Sequence, residues 1–396
     1  MSEKRRDNKG RILRTRESQR KDGRYTYKYV NTLGELQFIY AWKLVATDKT
    51  PAGKREDTSL REKAKEIQKD LDDGIDTLGK KMTVCQLYTK QISHRGNVRH
   101  NTKLGRKRLM TILENDILGS TSIDKVKPEH AKEWAIRMHN LGYGYQTISN
   151  YKRSLNASFF TAVQNDYIRK NPFGFALNTV LTDDTKPKIS LTPVQQIKLL
   201  TYAKADKVYQ KYYDEIFLLL KTGLRASELC GLTIPDLDFE NGLIDINHQL
   251  LRNLEVGYYI EEPKTKSSIR KVPMDKEVYQ TFKRIVKNRK NVSSFSIDGY
   301  SNFLFLKKNG KPKVGADLNA VLENLVKKHN KHNEEILPRI TPHVLRHTFC
   351  TDLANDGINP KALQYIMGHV SITTTFDYYT HATSESVKAE MDRLRG

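Results

Sequence analysis

Long apolar runs are absent from this chain of 396 residues. The longest, such as IFLLL at 216–220, fall far short of the ~20 residues a bilayer span needs, which excludes a helical membrane protein. The basic start, MSEKRRDNKGRILR, lacks the apolar stretch of a secretory signal. Cysteine is scarce: Cys85, Cys230 and Cys350 are odd in number, far apart and never in CxxC spacing, so neither a disulfide framework nor a structural zinc follows. Internal repeats and low-complexity tracts are missing as well. The expectation is a soluble, cytoplasmic protein in a reducing compartment.

Positive charge is abundant. Lys and Arg number 68 against 46 Asp and Glu, a formal charge of +22, which points to a polyanionic partner, nucleic acid before an anionic membrane surface. The length calls for two or three domains, each with its own core.

Residues 1–55 carry 15 Lys/Arg against 6 Asp/Glu. Within them RYTYKYV and LQFIYAWKLV hold the β-branched and aromatic residues of strands, and an earlier short strand around RILRT would complete a three-stranded sheet. DTSLREKAKEIQKDLDDGID then reads as a helix, with N-caps at 57–59, Leu60, Ala64, Ile67 and Leu71 at helical spacing, and Gly74 as a stop. From 83 to about 172 no strand pattern occurs, whereas four segments show helical periodicity. LNTVLTDDTKPKIS at 177–190 has the polar, proline-containing composition of a linker. Beyond it come a capped helix at SLTPVQQIKLLTYAK, short strands LIDIN, GYYIEE and IRKVP, and further helices. The expected fold is therefore multidomain and mainly α with small β-sheets. A sheet-plus-helix module spans 1–80, a helical domain 81–175, a linker 176–190 and a mixed α/β domain 191–396.

The last of these carries the chemistry. Arg225 follows Gly223 at the end of a long apolar helix, and its guanidinium matches phosphate oxygens bidentately. Alone it reads as a surface arginine, so the case rests on its companions. His343 and Arg346 stand three apart on a helix that Thr341 can cap, while His347 is one step round toward the core. A zinc pair of His343 and His347 is disfavoured, because no glutamate serves as base and an arginine lies between them. Lys264 lies between apparent strands where a turn could present its ammonium, and spacing does not separate it from Lys266. His369 follows Gly368 at a helix-to-turn junction. Two arginines, a lysine and two histidines can stabilise charge on a phosphoryl group without a metal ion. The adjacent Tyr378 and Tyr379 offer a nucleophile; a phenol with an ordinary pKa near ~10 needs a base or cationic surroundings to attack at neutral pH.

The ordered motifs TGLRASEL, the lysine hairpin, HVLRHTF, GH and YTH resemble the tyrosine recombinase (phage integrase) family, strongly over 190–396. The helical stretch resembles that family's core-site-binding domain, and the basic N-terminal module resembles the arm-type DNA-binding domain of integrases of conjugative transposons. The resemblance implies two successive transesterifications through a 3′-phosphotyrosyl intermediate, with no cofactor, ATP or divalent metal. It implies that Arg225 and Arg346 clamp the scissile phosphate and that Lys264 protonates the 5′-hydroxyl leaving group. His343 would assist proton transfer at the nucleophile and His369 would hydrogen-bond a nonbridging oxygen. The family's Tyr-x-His ending selects Tyr379 as nucleophile, because only its phenol lies two before His381. Tyr378 would then pack, and Glu228 would orient its neighbours.

The implied partner is double-stranded DNA at core and arm attachment sites, bound by a homo-tetramer on two duplexes through a C-terminal helix in SESVKAEMDRLR. Accessory directionality or DNA-bending proteins would assist, in a bacterial cytoplasm. Candidate DNA contacts are Arg24 and Lys28 on the N-terminal strands, Arg106 and Lys107 in RHNTKLGRKR, and Lys152 and Arg153 in YQTISNYKRS. Which face of the N-terminal sheet meets DNA is open, because Tyr25, Tyr27 and Trp42 supply aromatics for core and surface alike. Two other functions share these residues: relaxation of supercoils in the manner of a type IB topoisomerase, and catalytically silent DNA binding.

Overall fold

The computed structural model describes residues 4–32, 34–77, 79–94, 96, 98–185, 187, 189–263, 266–289, 295–376, 378–379 and 391. The chain divides into two compact units, Met1–Lys186 and Pro187–Gly396.

The first unit opens with an antiparallel sheet of β1 (Glu17–Gln19), β2 (Tyr25–Val30) and β3 (Leu36–Ala41). The third strand expected around 11–15 falls slightly later, at Glu17–Gln19, while Ile12 makes only an isolated bridge to Arg6. The Asp7 carboxylate accepts the backbone N–H groups of Lys9 and Arg11 at 3.0 and 2.8 Å, so pairing with β2 begins only at Glu17. Helix α1 (Leu60–Asp72) starts in a capping box of Ser59 and Glu62. Leu60 joins Leu13, Tyr25, Ala41 and Leu44 in a small core between helix and sheet. Pairing of Lys28 with Phe38 and of Val30 with Leu36 places those side chains on the sheet's opposite face, where all four are exposed.

The helical half has α2 (Val84–Ser93), α3 (His100–Glu114), α5 (Pro128–Asn140) and α6 (Tyr145–Gln164), the four helices that periodicity predicts, plus the single turn α4 (Ile117–Ser120). Trp134, Leu109, Leu113, Leu155 and Phe159 fill its core. Within the segment read as a linker, Leu177 and Leu181 also pack into this core.

In the second unit, α7 (Pro193–Ala205) begins at Thr192, whose hydroxyl accepts the Gln195 N–H. The apolar run 216–220 lies on α8 (Tyr213–Thr222) and is buried on every side, the pattern of a central helix. Gly223 ends α8 at φ +62°, and a Cβ there would come within 2.3 Å of Phe349, so this sharp turn demands glycine. It leads directly into α9 (Ala226–Gly231). Strands β4 (Leu237–Asp238) and β5 (Leu243–Ile246) open a sheet, a hairpin of β6 (Gln249–Asn253) and β7 (Gly257–Glu261) follows, and β8 (Arg270–Pro273) closes the sheet in the order β4-β5-β8. Helices α10 (Lys276–Lys287), α11 (Gly315–His332), α12 (Pro342–Asn355), α13 (Pro360–Met367) and α14 (Ile372–Phe376) complete it. No helix among the described residues is long and apolar enough to cross a membrane.

Candidate phosphodiester site

The site is built where α8, α9, α12 and α13 end or begin. The αL turn at Gly223 delivers Arg225 to the N-terminus of α9, where Glu228 holds it twice: one carboxylate oxygen accepts its backbone N–H at 2.8 Å and the other accepts Nη1 at 2.6 Å. Arg346 reaches the same place from α12, which Thr341 caps and Pro342 starts. It is 6% exposed and donates to the carbonyls of Gly223, at 2.6 Å, and Met367. Arg225 Nη2 lies 3.3 Å from the carbonyl of Gly368. Two guanidinium groups from distant segments are thus tied to the same two turns.

Glu228 is the negative centre of this cluster. Burial alone would push its carboxyl up, but Arg270, then Arg225 and Arg346, outweigh it and hold the pKa at about 2. Burial and the neighbouring Arg225 pull Arg346 down to about 10, so it remains charged at neutral pH. His343 is exposed, yet its pKa is lowered by partial desolvation and then by Arg346 and Arg225, which leaves a neutral imidazole beside the two cations.

Gly368, at φ +60°, ends α13 and turns His369 toward Thr375, with Nδ1 and Oγ1 3.0 Å apart. The Tyr378 ring centroid stands 4.6 Å from that of His347 and 6.2 Å from that of His369. His347, expected in the core, is half-buried against Tyr378. Tyr379 packs beside Cys350, Leu363 and Met367, and its hydroxyl donates to the Ile358 carbonyl at 2.5 Å. Burial, then Cys350, raises its pKa, so the phenol is protonated in this position.

The structure brings Arg225, Arg346, His343 and His369 together with Glu228. Lys264 and His381 lie outside the described residues, as does the C-terminal helix apart from Met391. Arg270 carried no assignment from the sequence, although it sits at the centre of the cluster with 2% exposure. Its signal was the strand period: in IRKVP, Arg270 has the same parity as Val272, the inward face of β8, where a charge needs a partner. Among the described residues no three His, Cys, Asp or Glu side chains gather as metal ligands.

The DNA-contact candidates sit in the first unit. Arg24 stacks over Tyr40 and Trp42 at 5.5 and 5.7 Å, and Lys28 is exposed on β2. Tyr25 is core, its hydroxyl donating to Asp7. Lys107 and Arg153 are exposed on α3 and α6, Arg106 is half-buried, and Lys152 lies 4.5 Å over Phe175, where burial lowers its pKa.

A buried carboxylate that marshals three arginines, with the neutral imidazole of His343 and two tyrosines alongside, defines a phosphodiester-handling enzyme on a mainly helical frame. Known proteins agree. Residues 190–386 match the phage integrase family, and residues 1–71 match the DNA-binding domain of Tn916 integrase. The chain is 65% identical over 394 residues to the transposase from transposon Tn916 of Enterococcus faecalis, and equally to that from Tn1545 of Streptococcus pneumoniae, covering 100% of this chain and 97% of each relative. A solved structure of the Tn1549 transposon integrase carrying R225K, in complex with a circular intermediate DNA, is 63% identical with a TM-score of 0.76, over 79% of this chain and 99% of that one. Another, carrying Y379F, is in complex with transposon right end DNA. The chain belongs to the phage integrase family of tyrosine recombinases. It is a site-specific DNA recombinase, an enzyme that breaks and rejoins DNA.

Proposed function

We propose that this recombinase integrates and excises a mobile element of the conjugative-transposon type, with Tyr379 as nucleophile. The convergence of Arg225 and Arg346 on the turns at Gly223 and Gly368 carries the reading, because it leaves two fixed cations for the nonbridging oxygens of one phosphate. The Tyr379 oxygen attacks phosphorus, the P–O5′ bond breaks, and Lys264 protonates the departing 5′-hydroxyl. His343, neutral at pH 7, takes the phenolic proton, and His369 hydrogen-bonds a nonbridging oxygen. The 5′-hydroxyl of another strand then gives its proton back to Lys264 and attacks phosphorus, the bond to the Tyr379 oxygen breaks, and His343 returns the phenolic proton, so bond energy is conserved without ATP. Tyr379 leaves the Ile358 carbonyl to react.

The module 1–80 binds arm sites through the outward face of its sheet, where Lys28 and Phe38 are exposed and Arg24 lies beside Tyr40 and Trp42. The helical domain 81–175 binds core sites with Arg106, Lys107, Lys152 and Arg153, across the 176–190 linker from the catalytic domain 191–396. A homo-tetramer on two duplexes, joined by C-terminal helices, and accessory DNA-bending or directionality proteins complete the assembly. The 65% identity to the Tn916 and Tn1545 transposases supports this cargo. Two duplexes carrying the element's ends and a target should yield joined products that depend on those sequences. Relaxation of plasmid lacking them, with no joined product, would favour a topoisomerase-like activity.

A further inference from the structure

Arg270 touches more of the site's framework than any of the residues assigned to phosphate. It is buried on the inner face of β8, so it cannot reach DNA. Its Nη1 and Nη2 donate to the two oxygens of Glu228 at 3.1 and 2.9 Å. Nε donates to the Ile366 carbonyl at 2.6 Å, and Nη1 also to the Ser268 carbonyl at 3.1 Å. One side chain therefore links the start of α9, the end of α13 and the strand entry that follows the lysine segment. Gly368 lies directly on the guanidinium, and a Cβ there would come within 3.1 Å of Nη1, so the turn that carries His369 is seated on Arg270.

The charges explain why an arginine is needed. Glu228 faces Arg225, Arg270 and Arg346, the last at 3.9 Å. Without Arg270, the carboxylate would be left to the other two, neutralising one of them and drawing both toward itself. With Arg270 bound to both its oxygens, Glu228 still orients Arg225, and the two outer guanidinium groups keep their charge for an anion.

We propose that Arg270 is a positioning residue for the recombination reaction. By holding Glu228 and the Ile366–Gly368 turn, it fixes Arg225, Arg346 and His369 at the geometry that binds the scissile phosphate. The inference rests on the reading of Arg225 and Arg346 as phosphate ligands.

The test is single-turnover strand cleavage by full-length protein on suicide duplexes with either a phosphate or a neutral methylphosphonate at the scissile position. Arg270→Met should slow cleavage of the phosphate about 100-fold, the size of a displaced catalytic group, and slow the methylphosphonate less than about 10-fold, because no nonbridging charge remains to be clamped. Arg225→Lys should show the same split, and the double variant should be little slower than the worse single one. Should Arg270→Met lose its folding transition, Arg270→Lys, which keeps the charge but not the two-oxygen grip, serves for the same comparison. Equal slowing on both duplexes, or additive effects with Arg225→Lys, would show that Arg270 only holds the fold. Failure of the wild type to cleave the phosphate duplex would instead overturn the phosphate-site reading itself.

Discussion

Glu228 grips Arg225 at both ends, its carboxylate oxygens accepting the backbone N–H at 2.8 Å and Nη1 at 2.6 Å. The carboxylate that ties the first turn of α9 to the Arg225 backbone therefore also aims its guanidinium, and it meets Arg270 and Arg346. Local helix geometry and the geometry of the candidate site are set by one side chain.

Replacing that carboxylate leaves three arginines without their shared anion. Glu228→Gln should destabilise the C-terminal unit by about 3–5 kcal/mol at pH 7, read from denaturant unfolding. The wild-type pKa near 2 lies below its unfolded value, so the stability from ionised Glu228 is present above about pH 4.5 and is lost as pH falls toward 2. The gap between wild type and variant should therefore narrow over that window. A gap independent of pH would contradict the ionic role.

His343 should set the acid side of the reaction. Partial desolvation, then Arg346 and Arg225, holds its pKa below the ordinary ~6.5, so the neutral base persists at lower pH than a free histidine allows. Cleavage rates at subsaturating DNA, which report the free protein's groups, should fall to half their plateau only below pH 6.5. By the same sign, any stability tied to neutral His343 is present above the unfolded value and is lost as pH falls through the folded one. A rate already halved above pH 6.5 would remove His343 from the base role.

Much of this was legible in the sequence because it is periodic or punctuated. Thr192, Ser59 and Thr341 cap the helices that their positions announce, and glycines at 223 and 368 mark the two turns that carry Arg225 and His369. The strand period signals that Arg270 faces inward but not that it joins this site, since its partners Glu228 and Ile366 are 42 and 96 residues away. Tyr378 and Tyr379 are neighbours in a turn after α14, and only packing shows that one faces His347 while the other reaches Ile358. The exposed face of the N-terminal sheet likewise required the register that sets Lys28 against Phe38.

That face gives a prediction for arm-site binding. Lys28 and Phe38 are exposed, so Lys28→Ala should leave folding unchanged while weakening binding and reducing the slope of log affinity against log salt by about 1. Phe38→Ala should weaken binding with no change in slope. Titrations of arm-site duplex at several salt concentrations distinguish the two, and an unchanged slope for Lys28→Ala would place the DNA elsewhere.

Tyr379 is proposed to form the covalent bond, although its hydroxyl rests on the Ile358 carbonyl and the Tyr378 ring lies 4.6 and 6.2 Å from the His347 and His369 rings. The direct measurement is denaturing electrophoresis after incubation with a suicide attachment-site duplex in the presence of EDTA. Wild type and Tyr378→Phe should form a protein–DNA adduct, and Tyr379→Phe should form none. An adduct that survives Tyr379→Phe and disappears with Tyr378→Phe would contradict it.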